Sequence, residues 1–260
     1  MKTTTNKPAQ KIGAALVKRG FMVTVEEDRI VFSAGNGKQD YRDARQLLEF
    51  TGVPVCYSGL QMQILSPVIT PEVLRMIEKM PVPYNRAAIP LHFHTWKAFT
   101  KRNHGVRWNS LSLDRGIALL VKAMSAAGVL VTGGCDGHRT KTPQVYFASE
   151  WAAAWFNIVQ ERYLNVEELA YNWQVVIDGK GSPRLQASLG GWDRWTLPMI
   201  QSDTVKMGLA LLQMASELRG LRRDIFKNRS MREQAESLKN DFPALCQWMN
   251  EMIEKGAANV

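Results

Sequence analysis

Apolar positions along the chain follow two rhythms, and the switches between them outline its elements. In AQKIGAALVKRG, Ile12, Ala15, Leu16 and Arg19 fall at helical spacing, and Gly20 stands where a helix would close. FMVTVEEDRIVFSA holds two short β-prone runs around Glu27 and Asp28. YRDARQLLEFTG returns to the helical period before Gly52. LQMQILS adds a strand, and TPEVLRMIEKM offers Thr70 as N-cap with Pro71 at the first helical position. Residues 1–80 therefore predict a small α/β unit.

The clearest pattern lies further on. SLDRGIALLVKAMSAAG carries an apolar stripe of Ile117, Leu120, Val121 and Met124, with Ser112 or Asp114 as its cap and Gly128 at its end. It predicts a helix from near Leu113. VLVT and PQVYF predict two strands of one sheet bordering residues 133–143, and SEWAAAWFNIVQERYL predicts a helix capped by Ser149, with Trp151 and Trp155 on one core-facing side. WQVVID and RLQASLG flank GKGSP and predict a second hairpin of the same sheet. From residue 201 onward SDTVKMGLALLQMASELRGLRRDIF, SMREQAESLKN and FPALCQWMNEMIEKG read as helices. The fold class is α+β: an N-terminal unit over 1–80, a central mixed sheet with flanking helices over 81–200, and a helical extension over 201–260. Residues 81–112 lack a clean period. Their Tyr84, Phe93, Trp96, Phe99 and Trp108 are too apolar to stay solvated and are expected to pack.

Composition narrows the function classes. Hydrophobic residues make up 45% of the chain, enough for a sizeable core. No run of about 18 apolar residues exists, and the first residues lack a signal peptide's apolar stretch, so a cytoplasmic protein without a membrane partner is expected. The cysteines, Cys56, Cys135 and Cys246, are three in number and far apart, which suits reduced thiols. The formal net charge of +9 and a pI near 9.6 favour acidic partners. Nucleic acid leads that class, because two stretches are basic. One interleaves Trp96, Phe99 and Trp108 with Lys97, Lys101, Arg102 and Arg107; the other sets Arg219, Arg222 and Arg223 on a helix, with Lys227, Arg229 and Arg232 beyond. For each stretch the competing reading is a solvated surface. The amphipathic C-terminal helices leave open a third reading, a scaffold that binds protein.

Candidate chemistry centres on GVLVTGGCDGHRTKTPQVYF. Gly133, Gly134 and Gly137 permit close backbone approach to an anion, and Arg139 follows as a phosphate-neutralising charge. Cys135 is a candidate nucleophile, with His138 or Arg139 to favour its thiolate and Asp136 to orient the histidine. A long hairpin connection is the competing reading. In LHFH, a strand would point His92 and His94 to one face; with Cys135 and His138 they would supply the four ligands of a tetrahedral zinc site. Otherwise the two histidines hydrogen-bond around an aromatic cluster. The order LDRGI, GVLVT, CDGH, PQVYF over about residues 112–150 resembles the Cys-x-Gly region of the wybutosine-synthesis methyltransferases. That resemblance implies a tRNA substrate and S-adenosylmethionine. Cys135 and Gly137 match the signature, while Gly133, Gly134 and His138 replace its serines and arginine. It carries over a loop architecture and no catalytic role. Two function classes lead: a nucleic-acid-binding or nucleic-acid-processing protein with the loop near the bound backbone, and a zinc- or cysteine-dependent enzyme acting on a nucleotide or other small anion.

Overall fold

The computed structural model describes residues 8–80, 89–178, 182–228 and 230–257. The N-terminal unit follows the predicted order. Helix α1 (Pro8–Lys18) leads through Gly20, at φ 99°, into the hairpin β1 (Val23–Glu26) and β2 (Arg29–Phe32). Helix α2 (Lys38–Phe50) closes at Gly52, at φ 70°, and precedes β3 (Val55–Ser58), β4 (Gln61–Ile64) and α3 (Pro71–Lys79). Thr70 caps α3 by accepting from the Val73 N–H. The strands pair antiparallel in the order β1-β2-β4-β3. Their inner face, with Ile30, Phe32, Met62 and Ile64, packs on Ile12, Leu16, Leu47 and Leu48. VCYS, which carries no strong apolar alternation, is a strand that the sequence pattern did not predict.

The rest of the described chain shares one core. After a 3-10 turn (Leu91–His94) come α4 (Trp96–Lys101), a second 3-10 turn (Ser110–Ser112) and α5 (Ala118–Ala126). Strands β5 (Val131–Cys135) and β6 (Gln144–Phe147) follow, then α6 (Glu150–Arg162) and the strands β7 (Asn172–Val176) and β8 (Arg184–Ser188). Helices α7 (Leu197–Gln213), α8 (Ala215–Phe226), α9 (Met231–Ser237) and α10 (Phe242–Ala257) complete it. The second sheet is antiparallel in the order β5-β6-β8-β7, so both predicted hairpins belong to one sheet. The turn between β7 and β8 lies partly at residues 179–181, outside the described residues, as do Tyr84 and Arg229. Trp96, Trp151, Trp155 and Phe226 form an edge-to-face cluster that joins α4, α6 and α8, and Trp248 of α10 closes over it. The apolar stripe of α10, including Leu245, Met249 and Ile253, is thus spent on the protein's own core. Among the described residues no helix is long and apolar enough to cross a membrane.

Helix α5 is buried at every position and carries one charge, Lys122. Its ammonium reaches Asp40 of α2 at 2.9 Å, Asn36 at 3.0 Å and the Ser110 hydroxyl at 2.6 Å. Asp40 also accepts from the Ser110 N–H at 2.7 Å, and Arg19 donates to the Ser110 carbonyl at 2.9 Å. This buried network joins the two units. Burial, only partly offset by Asp40, lowers the Lys122 pKa to about 8 from 10.5, with Arg19 lowering it further and Asp43 raising it. Between those two values the unfolded chain holds more protons than the native one, so this group makes stability rise with pH across about 8 to 10.5. Unfolding free energies of wild type and Lys122→Met, measured from pH 7 to 10.5, should differ by an amount that drifts in favour of wild type as pH rises; a flat difference would refute the assignment.

Candidate active site

Helix α5 and strand β5 position the site. The chain enters α5 through a turn closed by the Ile117 N–H donating to the Asp114 carbonyl at 3.1 Å. At the other end Gly128, at φ 85°, reverses the chain into β5, as its place in the sequence predicted. The strand does not stop at Gly133 and Gly134; it continues to Cys135, with a register shift between Val131 and Gly133. A Cβ on Gly134 would lie 2.6 Å from Ile117 and 2.7 Å from the Gln144 carbonyl, so the close approach of helix and partner strand requires glycine there. The loop proper is residues 136–143.

The loop begins with a left-handed turn. Gly137, His138 and Arg139 have φ of 76°, 47° and 67°, and the Gly137 carbonyl accepts from the N–H groups of Thr140 and Lys141 at 2.9 and 2.8 Å. Two of these residues have a Cβ, so the turn is strained, and it persists because its start is anchored. Asp136, buried, accepts from the Gly116 N–H at 3.2 Å and the His138 N–H at 3.1 Å. Asp114 accepts from the Asp136 N–H at 3.2 Å. The two carboxylates thereby lock the loop onto the entry of α5.

This anchoring presents three metal-ligating side chains together. Ligand atoms of Asp114, Cys135 and His138 all lie within 4.8 Å of one another. His138 Nε2 faces Asp114 Oδ2 at 3.6 Å and its Nδ1 faces Asp136 Oδ1 at 3.5 Å. Zinc with bonds of about 2.0–2.3 Å holds tetrahedral ligands roughly 3.5 Å apart, so side-chain adjustments of about 1 Å would close the set. Two cavities meet here, both bordered by Asp114 and His138. The smaller, about 400 Å³, also has Lys79, Arg115 and Arg139 in its wall. The larger, about 790 Å³, runs past Cys135 to Trp108, Lys141 and Gln144.

Several predicted site residues stand elsewhere or in other roles. LHFH forms a 3-10 turn, not a strand, and His94 Nδ1–H donates to the Ala148 carbonyl at 2.5 Å while His92 packs on Phe93. Neither joins the group that contains Cys135 and His138; its third member is Asp114, which the sequence presented only as a helix cap. The surroundings of Cys135 favour its thiol over its thiolate: burial pushes its pKa up, a hydrogen bond from the Gly137 N–H partly offsets this, and Asp114 and Asp136 push it further up. His138 remains beside it but is held between two carboxylates.

The basic stretches split in the same way. Trp96 and Phe99 are buried within the aromatic cluster and offer no open stacking face to a strand of bases, and Trp108, also buried, borders only the larger cavity. Arg102 lies over the Phe93 ring at 4.1 Å, while Lys97, Lys101 and Arg107 are exposed. Arg222 is buried and donates to the Arg102 carbonyl, and Arg219 donates to the Ala126 carbonyl at the end of α5, so both tie helices together instead of facing phosphate. Burial, with Arg223 and Arg219 nearby, lowers the Arg222 pKa to about 10. Arg223 is exposed and donates to Asn103 at 3.1 Å. Arg139 is exposed beside the candidate metal ligands. No protein-family model matches the chain, and no curated protein or solved structure is significantly similar to it.

Proposed function

We propose that the protein is a metal-dependent enzyme in which Asp114, Cys135 and His138 hold a divalent cation of the zinc class, and that it acts on a small anionic substrate of nucleotide size. The observation that carries this reading is the setting of His138. Nε2 faces the Asp114 carboxylate, ligand atoms of Asp114, Cys135 and His138 lie within 4.8 Å of one another, and Nδ1 faces the buried Asp136 carboxylate. A metal-bound histidine characteristically donates its second N–H to such an outer carboxylate, which fixes the tautomer and raises its basicity as a ligand. Three protein ligands leave a coordination position for water, whose pKa zinc lowers to about 7, supplying hydroxide at neutral pH.

The cations of the smaller cavity favour an anion at this site. Nucleic acid, in contrast, loses the stacking faces of Trp96 and Phe99 to the core, leaving the exposed Lys97, Lys101, Arg107 and Arg223 as a salt-sensitive electrostatic surface. Protein freed of metal by a chelator and titrated with Co²⁺ tests the site, since a cysteine ligand adds a thiolate-to-cobalt charge-transfer band in the near ultraviolet. One equivalent should bind with that band. Cys135→Ser should remove the band, and Asp136→Asn should keep it while weakening affinity by roughly 10- to 100-fold. Binding without the band, or a Cys135→Ser titration identical to wild type, would sink the proposal.

A further inference from the structure

The two cavities that meet at Asp114 and His138 differ in chemistry, and the difference describes a ligand with two unlike ends. In the wall of the smaller one, Lys79, Arg115 and Arg139 have no carboxylate partner among the described residues. Around a cavity of about 400 Å³ these three cations outnumber the two carboxylates in the wall, Asp114 and Asp136, and favour a compact anion. The larger cavity has one cation, Lys141, in a wall otherwise made by the indole of Trp108, the side chains of Gln144 and Tyr146, which hydrogen-bond to one another, and the side-chain-free backbone of Gly133 and Gly134. A Cβ on Gly133 would sit 3.8 Å from the six-membered ring of Trp108, so glycine leaves that part of the wall low. Trp108 is nine-tenths buried, and its indole N–H has no acceptor among the described residues. At about 790 Å³ the space suits a planar heterocycle with its sugar.

From this we infer that the substrate is a nucleoside monophosphate, with its phosphate in the smaller cavity, its base and sugar in the larger, and its phosphoester bond at the Asp114, Cys135 and His138 site. The inference rests on the metal-site reading above and deepens it. A ligand lying across both cavities brings to that site the link between phosphorus and sugar. The reaction is hydrolysis: the oxygen of the metal-bound hydroxide forms a bond to phosphorus, and the phosphorus bond to the sugar oxygen breaks with its electron pair on that oxygen. The sugar oxygen takes a proton from solvent, which replaces the one released when the bound water became hydroxide. One water is consumed, and a nucleoside and inorganic phosphate leave.

Calorimetric titration of the metal-loaded protein separates the two ends. The probes are AMP, GMP, CMP and UMP, the four nucleosides and inorganic phosphate, with phosphate release measured in parallel. At least one monophosphate should bind about 10- to 100-fold more tightly than either its nucleoside or inorganic phosphate. The Arg115→Ala, Arg139→Ala double variant should lose affinity for the monophosphate and for inorganic phosphate but not for the nucleoside. Gln144→Ala should do the reverse, weakening monophosphate and nucleoside while sparing phosphate; Trp108→Phe provides a second variant of that cavity should Gln144→Ala fail to fold. Phosphate release should require the metal. If the cobalt band forms but monophosphates bind no better than phosphate, or the variants at the two ends weaken all probes alike, or only oligonucleotides are bound and hydrolysed, this inference falls while the metal site stands. Absence of the band overturns both.

Discussion

Alanine in place of Asp40 is expected to destabilise the protein by about 3–5 kcal/mol, because it leaves a buried ammonium without its counter-charge. Lys122 and Asp40 have side chains exposed by 1% and 0%, and their 2.9 Å contact is the only ion pair Lys122 makes among the described residues. The same substitution strips the acceptor from the Ser110 N–H and from the Gly37 N–H that begins α2. The cost comes from an orphaned charge, not from a lost attraction, so removing both ends should restore most of the stability: Asp40→Ala with Lys122→Met should be clearly more stable than Asp40→Ala alone. Urea unfolding of the two single variants and the double variant closes the cycle. A loss under about 1 kcal/mol for Asp40→Ala would mean that solvent reaches the ammonium. Ser110 lies four positions before Asp114, so a loosened network should also weaken metal binding.

Elements whose signals were local could be read from the chain, and those set by distant contacts could not. Gly20, Gly52 and Gly128 adopt the left-handed backbone that ends a helix, and each marks an end that the sequence predicted. The start of α5 shows the opposite case. The sequence predicts a start near Leu113, but the helix begins at Ala118, because residues 114–117 turn to deliver Asp114 to the hairpin loop. Gly133 and Gly134 looked like breakers; in the structure they are strand residues required by Ile117 and by the backbone of β6. Leu218, Arg222 and Phe226 share a helical face, so the period placed Arg222 among core residues even though its charge pointed to the surface.

The candidate site was half legible for the same reason. Cys135, Asp136 and His138 sit within one short loop, where reactive side chains between glycines stand out. Asp114 lies in another element, and no periodicity ties it to them. The zinc set through His92 and His94 depended on strand alternation, whereas Thr95 accepts from the Ala98 N–H as the cap of α4 and the preceding residues coil into a 3-10 turn.

Glycine at position 138 should separate function from stability. His138 holds φ 47° and ψ 34° between Gly137 and Arg139, both also at positive φ. A left-handed residue with a Cβ costs about 1–2 kcal/mol, and glycine's extra freedom in the unfolded chain costs roughly 0.5–1 kcal/mol. The imidazole is 65% exposed and its carboxylate contacts are 3.5 Å or longer, so little packing is lost with it. His138→Gly is therefore expected to unfold at an unchanged or slightly higher temperature, gaining up to about 1 kcal/mol. Metal affinity should fall by more than the roughly 100-fold that loss of an outer partner can cause, and metal-dependent activity should vanish. His138→Asn, which tolerates the left-handed region, should lose the metal with less change in stability. A variant several kcal/mol less stable would make the histidine a structural residue, and one that kept its cobalt affinity would not be missing a ligand. The expected outcome is a strained backbone kept because it holds the imidazole between Asp114, at Nε2, and Asp136, at Nδ1, beside Cys135, so that relief of the strain and loss of the metal arrive together.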